Sequence, residues 1–309
     1  MSLVVVLRAL GLGDFLAALP ALRGLRAAHP HDHLVLAAPA PLEPLVQHAG
    51  AVDELEPTEG LSTISRSKPD LAVNLHGRGP QSHRLLEASG PGRVLAFRHP
   101  EVPASATGPE WSEDEHERDR WCRLLRESGV PADPNDVDLV PPCRLVPSEA
   151  RGKVLIHPGG SSGARRWPAA GWAQVAASLT ALGHPVCVSA GPGEEALAGG
   201  LGQPVWSGGD VLDLTSIVAA SRLVLSGDTG IAHLATALRR PSVVLYGPTS
   251  PAVWGPPADR TWHRLLWRGH TGDPWASEPH PDLLDIRPEE VVEAASELLD
   301  TCPPAPSGT

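Results

Sequence analysis

The chain has 309 residues, 41% of them hydrophobic, and a formal net charge of −11. That length and apolar content suit two domains of about 150 residues, each with its own core. The negative balance disfavours non-specific binding to nucleic acid or anionic lipid.

The opening apolar run, Leu3–Leu7, leads straight into Arg8 and Gly11. It is too short for a signal peptide or a membrane span, so a cytoplasmic protein with no transmembrane segment is expected, with a monomer as its state. Strands are predicted near 3–8, 33–38, 52–55, 70–75 and 93–97, and helices near 14–28, 41–49, 80–88 and 113–128. Prolines at 131, 134, 141, 142 and 147 then forbid a helix and mark a linker. The pattern restarts with a strand at Lys153–His157 and a helix near 168–182. Strands near 185–190, 222–226 and 242–246 follow, with a last helix near 288–300 and a fraying Pro-Ser-Gly-Thr end. Strands alternating with helices predict an α/β chain of two Rossmann-like, doubly wound domains, 1–145 and 146–309, facing across a central cleft. Ligands then belong at the C-terminal ends of both sets of strands.

Cys122, Cys143, Cys187 and Cys302 show no Cys-x-x-Cys spacing, which fits reduced thiols and no zinc site. His31-Asp32-His33 precedes a strand near the surface and is not read as a metal site. The tryptophans at loop positions, such as Trp111, Trp167 and Trp254, are expected to pack in cores or hinges, with one available to stack on a ligand ring.

Four segments carry chemistry. After the first strand comes Arg8-Ala-Leu-Gly11-Leu-Gly13-Asp14 and then a helix. The third glycine of a dinucleotide fingerprint would fall at Leu16, and no Gly-Lys-Ser/Thr follows, so neither nucleotide motif is present. Asp14 places a carboxylate at a helix N-terminus, as a cap or as a general base. His157-Pro-Gly-Gly-Ser161-Ser162-Gly-Ala-Arg165-Arg166-Trp167-Pro168 opens the second domain. Its small residues let backbone approach a phosphate, its hydroxyls donate, and either arginine neutralises charge.

Ser226-Gly-Asp228-Thr229-Gly230-Ile-Ala-His233 sets a polar turn between an apolar strand and a helix. Asp228 or Thr229 is expected to cap that helix, whose free amides and dipole suit a diphosphate, with His233 one turn on along the same face. Val73–His83 ends a strand with Asn74, His76, Arg78 and Gln81, a density of hydrogen-bonding groups that suits a polyol. Glu115–Trp121 reads as a solvated helix face, with His116 and Arg120 on one side.

Together the Arg-x-x-Gly-x-Gly-Asp opening followed by Leu-Pro-Ala-Leu, the His-Pro-Gly…Arg-Arg-Trp-Pro segment and Asp-Thr-Gly-x-x-His…Leu-Tyr-Gly-Pro-Thr resemble glycosyltransferase family 9, the ADP-heptose heptosyltransferases of the GT-B fold. The resemblance runs from Leu3 to about Trp254. It implies inverting, metal-independent transfer of a sugar, heptose above all, from a nucleotide diphosphate donor to an acceptor hydroxyl. It makes Asp14 the general base and Arg165 the contact to the donor diphosphate. Ser161, Ser162, Asp228, Thr229, Gly230 and His233 complete the donor site, with Glu194 or Glu195, preferably Glu194, on the ribose or base. Gly13, Asn74, His76, Arg78 and Gln81 fall to the acceptor. The nucleotide sugar is a co-substrate, and no cofactor or metal is expected. A silent nucleotide-sugar-binding protein or a sugar-nucleotide epimerase on the same scaffold is the alternative. The first 145 residues carry 14 basic against 20 acidic side chains, net −6. That matches a phosphorylated lipopolysaccharide core poorly and makes a small hydroxylated acceptor, such as a natural-product intermediate, a serious alternative.

Overall fold

The computed structural model describes residues Met1–Thr301; Cys302 and the terminal segment expected to fray lie outside the described residues. The chain divides into two units, Met1–Val137 and Asp138–Thr309, at a point inside the proline-rich segment.

In the first unit β1 (Leu3–Leu7), α1 (Leu12–Ala28), β2 (His33–Ala38), α2 (Glu43–Ala49) and β3 (Glu54–Pro57) are followed by β4 (Leu71–Asn74), α3 (Gln81–Ala88), β5 (Arg93–Leu95) and α4 (Glu117–Glu127). The strands form one parallel sheet in the order β3-β2-β1-β4-β5. Central β1 is apolar at every position because both of its faces are covered, so its sequence runs rather than alternates. Val5 pairs with Val35 on one side and Ala72 on the other, and these residues join one buried cluster.

The second unit contains β6 (Val154–His157), α5 (Ala169–Ala181), β7 (Val186–Ala190), α6 (Glu195–Gly199), β8 (Val205–Ser207) and α7 (Val211–Ala220). It continues with β9 (Leu223–Gly227), α8 (Gly230–Ala237), β10 (Ser242–Leu245), α9 (Pro251–Trp254), β11 (His263–Leu266), α10 (Pro281–Leu284) and α11 (Pro288–Thr301). Its parallel sheet has the order β11-β10-β9-β6-β7-β8. Trp172 of α5 meets Trp167 edge to face at 4.9 Å inside a core shared by α5, α11 and the central strands. Among the described residues, no helix is long and apolar enough to cross a membrane.

Each sheet reverses its winding once, between β1 and β4 and between β6 and β9. The loops leaving those strands open the crevices where doubly wound sheets bind ligands. They are residues 8–11 and 75–80 in the first unit, and 158–168 and 228–229 in the second. All four chemistry-bearing segments touch these crevices.

Candidate active site

In the first unit the chain leaves β1 at Arg8, which is fully buried. Its Nη1 donates to the Leu75 carbonyl at 2.6 Å and its Nε to the Asp14 carbonyl at 3.1 Å. Its Nη2 reaches both Asp14 Oδ1 and Glu117 Oε1 at 3.0 Å. Glu117 is itself buried, accepts Trp121 Nε1 at 3.0 Å and pairs with Arg120. The guanidinium of Arg8 lies 4.9 Å from the Trp121 ring centre. Two arginines and two carboxylates therefore balance one another, as buried charge requires. Asp14 alone of the four keeps substantial solvent access, its side chain being 29% exposed.

Helix α1 begins at Leu12 behind Gly11, which offers no side-chain cap, so Asp14 stands in the first turn and its carboxylate is not spent on capping. The helix face read as solvated is corrected: Glu117, Arg118 and Arg120 are buried, and His116 caps α4 by accepting from the Arg118 amide at 3.1 Å.

The acceptor loop is partly reassigned. Asn74 is fully buried and its groups are consumed internally. Its Nδ2 donates to Ser82 Oγ and His83 Nδ1, both at 2.9 Å, and its Oδ1 accepts the His76 amide at 2.9 Å. His83 Nε2 in turn donates to the Phe97 carbonyl at 2.7 Å. Burial depresses the His83 pKa, which keeps the ring neutral for this pair of roles. Asn74 thus shapes the loop and has no donor left for a ligand. His76 remains partly exposed, with Nδ1 buried and unpartnered. Burial, and then the Arg8 charge, lowers its pKa to about 4, so it is a neutral imidazole. Arg78 is exposed and ion-paired with Glu113 at 2.6 Å, Gln81 is exposed at the start of α3, and Gly13 is half-buried in the first turn of α1.

In the second unit Glu194 lies against the loop after β6. Its Oε1 accepts the Gly160 amide at 3.1 Å and its Oε2 the Gly191 amide at 2.9 Å. A Cβ on Gly159 would sit 2.1 Å from Glu194 Oε1, so a larger residue there would displace that carboxylate. Glu194 also stands 3.8 Å from His157 Nε2, while His157 Nδ1 faces Ser189. Burial lowers the His157 pKa despite that carboxylate. Glu195 is the first residue of α6.

Ser161 is exposed, whereas Ser162 is buried and donates its one proton to the Pro274 carbonyl at 2.6 Å. Ser162 is therefore a loop tether and not a phosphate donor, a correction to the expected role. Arg166 is exposed, and its Nε donates to the Gly160 carbonyl at 2.8 Å. Arg165 turns inward to within 4.0 Å of Asp228 Oδ2.

Asp228 is buried and accepts the Thr249 hydroxyl at 2.5 Å. Burial raises its pKa, against the opposing effects of Thr249 and Arg165. Neither expected cap of α8 acts as one: Asp228 is committed to Thr249, and Thr229 at the N-cap makes no side-chain cap. Thr229 Oγ1 and Arg165 Nε are both buried without a protein partner. An α-helix also leaves its first amides without intrahelical acceptors. Hydroxyl, guanidinium and helix N-terminus together offer donors of the kind that can hold an anion. Half-buried His233 follows on α8 with its ring 6.1 Å from that of Trp254.

Sequence reasoning missed Arg8, Glu117 and Thr249. The Tyr-Gly-Pro-Thr run after β10 was a readable signal for Thr249, while nothing local pairs Arg8 with a residue 109 positions away.

Residues 92–272 match the sequence model of glycosyltransferase family 9 (heptosyltransferase). Lipopolysaccharide heptosyltransferase 2 of Escherichia coli K12 is 33% identical over 168 residues, covering 49% of this chain and 48% of that protein. Lipooligosaccharide heptosyltransferase 2 of Haemophilus ducreyi is 30% identical over 177 residues, half of each chain. The chain thus spans about half the length of the curated relatives it matches. The structure of E. coli ADP-heptose LPS heptosyltransferase II superposes with a TM-score of 0.75 at 21% identity, over 97% of this chain and 98% of that one. A glycosyl transferase family 9 structure from Veillonella parvula gives 0.75 at 22%, over 96% and 97%. These likenesses establish the fold, two Rossmann-like parallel sheets of the GT-B type. With more than half of its length inside the family's sequence model, the chain belongs to glycosyltransferase family 9, the heptosyltransferase family.

Proposed function

We propose that the chain transfers heptose from ADP-heptose to an acceptor hydroxyl, inverting the anomeric carbon and requiring no divalent metal. The observation that carries this reading is the cluster of donors in the second unit, where Arg165 Nε and Thr229 Oγ1 are buried with no protein partner beside an uncapped helix N-terminus. Buried polar groups are nearly always paired, so such a cluster marks the place of a polar ligand. The names of the family relatives make a nucleotide-activated heptose the donor of choice.

In this reading the acceptor hydroxyl loses its proton to the Asp14 carboxylate as its oxygen bonds to the anomeric carbon. The bond from that carbon to the diphosphate oxygen breaks on the opposite face, and the electron pair leaves with ADP. Arg165, the first amides of α8 and the Thr229 hydroxyl receive the developing charge. That donor set supplies the positive field a metal would otherwise supply. In this reading the reaction runs in the cytoplasm.

The acceptor reading turns on charge. Residues 1–137 carry 13 basic against 19 acidic side chains, net −6. This balance favours a small uncharged polyhydroxylated acceptor over a phosphate-bearing one.

Thermal shifts measured in EDTA with ADP-, UDP- and GDP-activated sugars test the donor and the metal together. A ligand that binds only the folded chain raises its midpoint. ADP-heptose is expected to give the largest rise. A larger rise with UDP- or GDP-sugars, or none until Mg²⁺ is added, would contradict the reading, and conversion of donor without acceptor would indicate an epimerase.

A further inference from the structure

We propose that Trp275 is the platform for the sugar ring of the bound donor, carried on a strap that runs from Trp267 to His280. The inference rests on the second unit being a nucleotide-sugar site, and it names the residue that reads the sugar.

The strap is fixed to the loop after β6. Besides the Ser162–Pro274 bond, the Ala164 amide donates to the Ala276 carbonyl at 2.9 Å and the His280 amide to the Ala164 carbonyl at 3.2 Å. At Gly163 the two backbones are so close that a Cβ would lie 1.6 Å from the Ser277 carbonyl oxygen. Farther along, the Gly272 amide donates to the Pro248 carbonyl at 3.0 Å, and His270 is held by Asp282 through its amide at 3.0 Å and its Nδ1 at 3.1 Å. A segment tied at so many points has a defined place.

It carries Trp275, 72% exposed, the one aromatic among the large apolar residues left in solvent in the described part of the chain. Its ring centre lies 5.8 Å from the guanidinium carbon of Arg165, within cation–π reach. Arg165 thus has Asp228 4.0 Å from one guanidinium nitrogen and the largely exposed Trp275 ring within cation–π distance.

Sheet order supplies the direction. Along β11-β10-β9-β6-β7-β8, Glu194 follows β7, Arg165 follows β6, Asp228 follows β9 and the strap follows β11. A nucleotide sugar is linear, with its diphosphate between nucleoside and sugar. The loop after β6 meets Glu194 at Gly160 and the strap at Ser162 and Ala164, so with the diphosphate on Arg165 and the nucleoside toward Glu194 the sugar is directed to the strap's end of the loop, where Trp275 lies. An aromatic ring offers a flat apolar surface to the C–H face of a pyranose while the hydroxyls stay with polar groups.

Calorimetry with ADP and with ADP-heptose on the full chain separates the roles. Trp275→Ala is expected to weaken ADP-heptose about tenfold, the worth of one covered ring face, and to leave ADP within about twofold. Trp275→Phe should restore most of the loss, and neither change should lower the melting midpoint of so exposed a position. Equal losses for both ligands would mean that the ring orders Arg165 or stacks on the nucleoside, and unchanged affinities would mean that it touches nothing; either overturns the assignment. A wild-type chain that binds neither ligand would remove the donor-site reading itself, and this inference with it, whereas a donor site that binds normally in Trp275→Ala would remove only the inference.

Discussion

One nitrogen of Arg8 stands 3.0 Å from Asp14 Oδ1 and 3.0 Å from Glu117 Oε1, so a single buried guanidinium joins the partly exposed carboxylate to a buried one. The remaining donors of Arg8 grip the Asp14 and Leu75 carbonyls, tying the first turn of α1 and the start of the 75–80 loop to the same group. Asp14 is thus held in one orientation by a residue that does not itself face solvent.

Arg8→Lys tests that positioning. An ammonium cannot reach all of these acceptors in the guanidinium's planar geometry, so turnover is expected to fall about tenfold through lost alignment of the base. Donor affinity should stay within about twofold, because the proposed donor contacts are residues of the second unit. Arg8→Met removes the charge altogether and should cost about 3 kcal/mol of stability in denaturant melts, since it leaves Glu117 with Arg120 alone. Wild-type turnover in Arg8→Lys would show that Asp14 needs no such clamp.

Arg165→Ala is expected to weaken ADP by about 1.5–3 kcal/mol, the worth of a charge-assisted contact, and adenosine much less. Arg166→Ala, at an exposed position, is the matched control and should change ADP affinity little. Calorimetric losses equal for ADP and adenosine would take Arg165 off the diphosphate.

Stability should fall in mild acid. Burial holds His76 and His263 at about 4, below the ordinary 6.5, so both are neutral in the folded chain at neutral pH. Between about 6.5 and 4 the unfolded state binds more protons, and stability drops as pH falls through that window. Above 6.5 both states are neutral and these groups contribute no slope. Partial exposure of His76 discounts its share, and the two together should cost about 2 kcal/mol at pH 5 relative to pH 7. His76→Gln should flatten the urea-midpoint profile; an unchanged slope would mean that His76 charges freely in the folded chain.

The sheets were legible where burial writes itself into the chain. Leu3–Leu7, His33–Ala38 and Val186–Ala190 are apolar runs bounded by polar turns, and each strand falls within two residues of its predicted position. Helix α7 left a readable sign that went unused, the Asp210–Asp213 capping box at its start. Strand β11, His263–Leu266, mixes charge with apolar residues because it lies at a sheet edge, and so it shows no clean period. Asp14, Arg165 and Asp228 could be placed from local motifs. The environment of Asp14 could not, since Glu117 and Arg120 look like a solvated helix face until tertiary packing buries them beside Arg8. Asn74 misled for a related reason: an amide at a strand end serves a ligand or its own loop equally well, and only the positions of Ser82 and His83 decide.

The central claim is that Asp14 takes the acceptor proton during heptose transfer, and Asp14→Asn tests it most directly. The substitution keeps the shape and an acceptor oxygen for Arg8 but removes the base. Transfer from ADP-heptose should fall by about 10²–10⁴-fold, while ADP-heptose affinity, measured calorimetrically on the same sample, stays within about twofold. A variant that keeps more than about a tenth of wild-type turnover would place the base elsewhere and contradict the account.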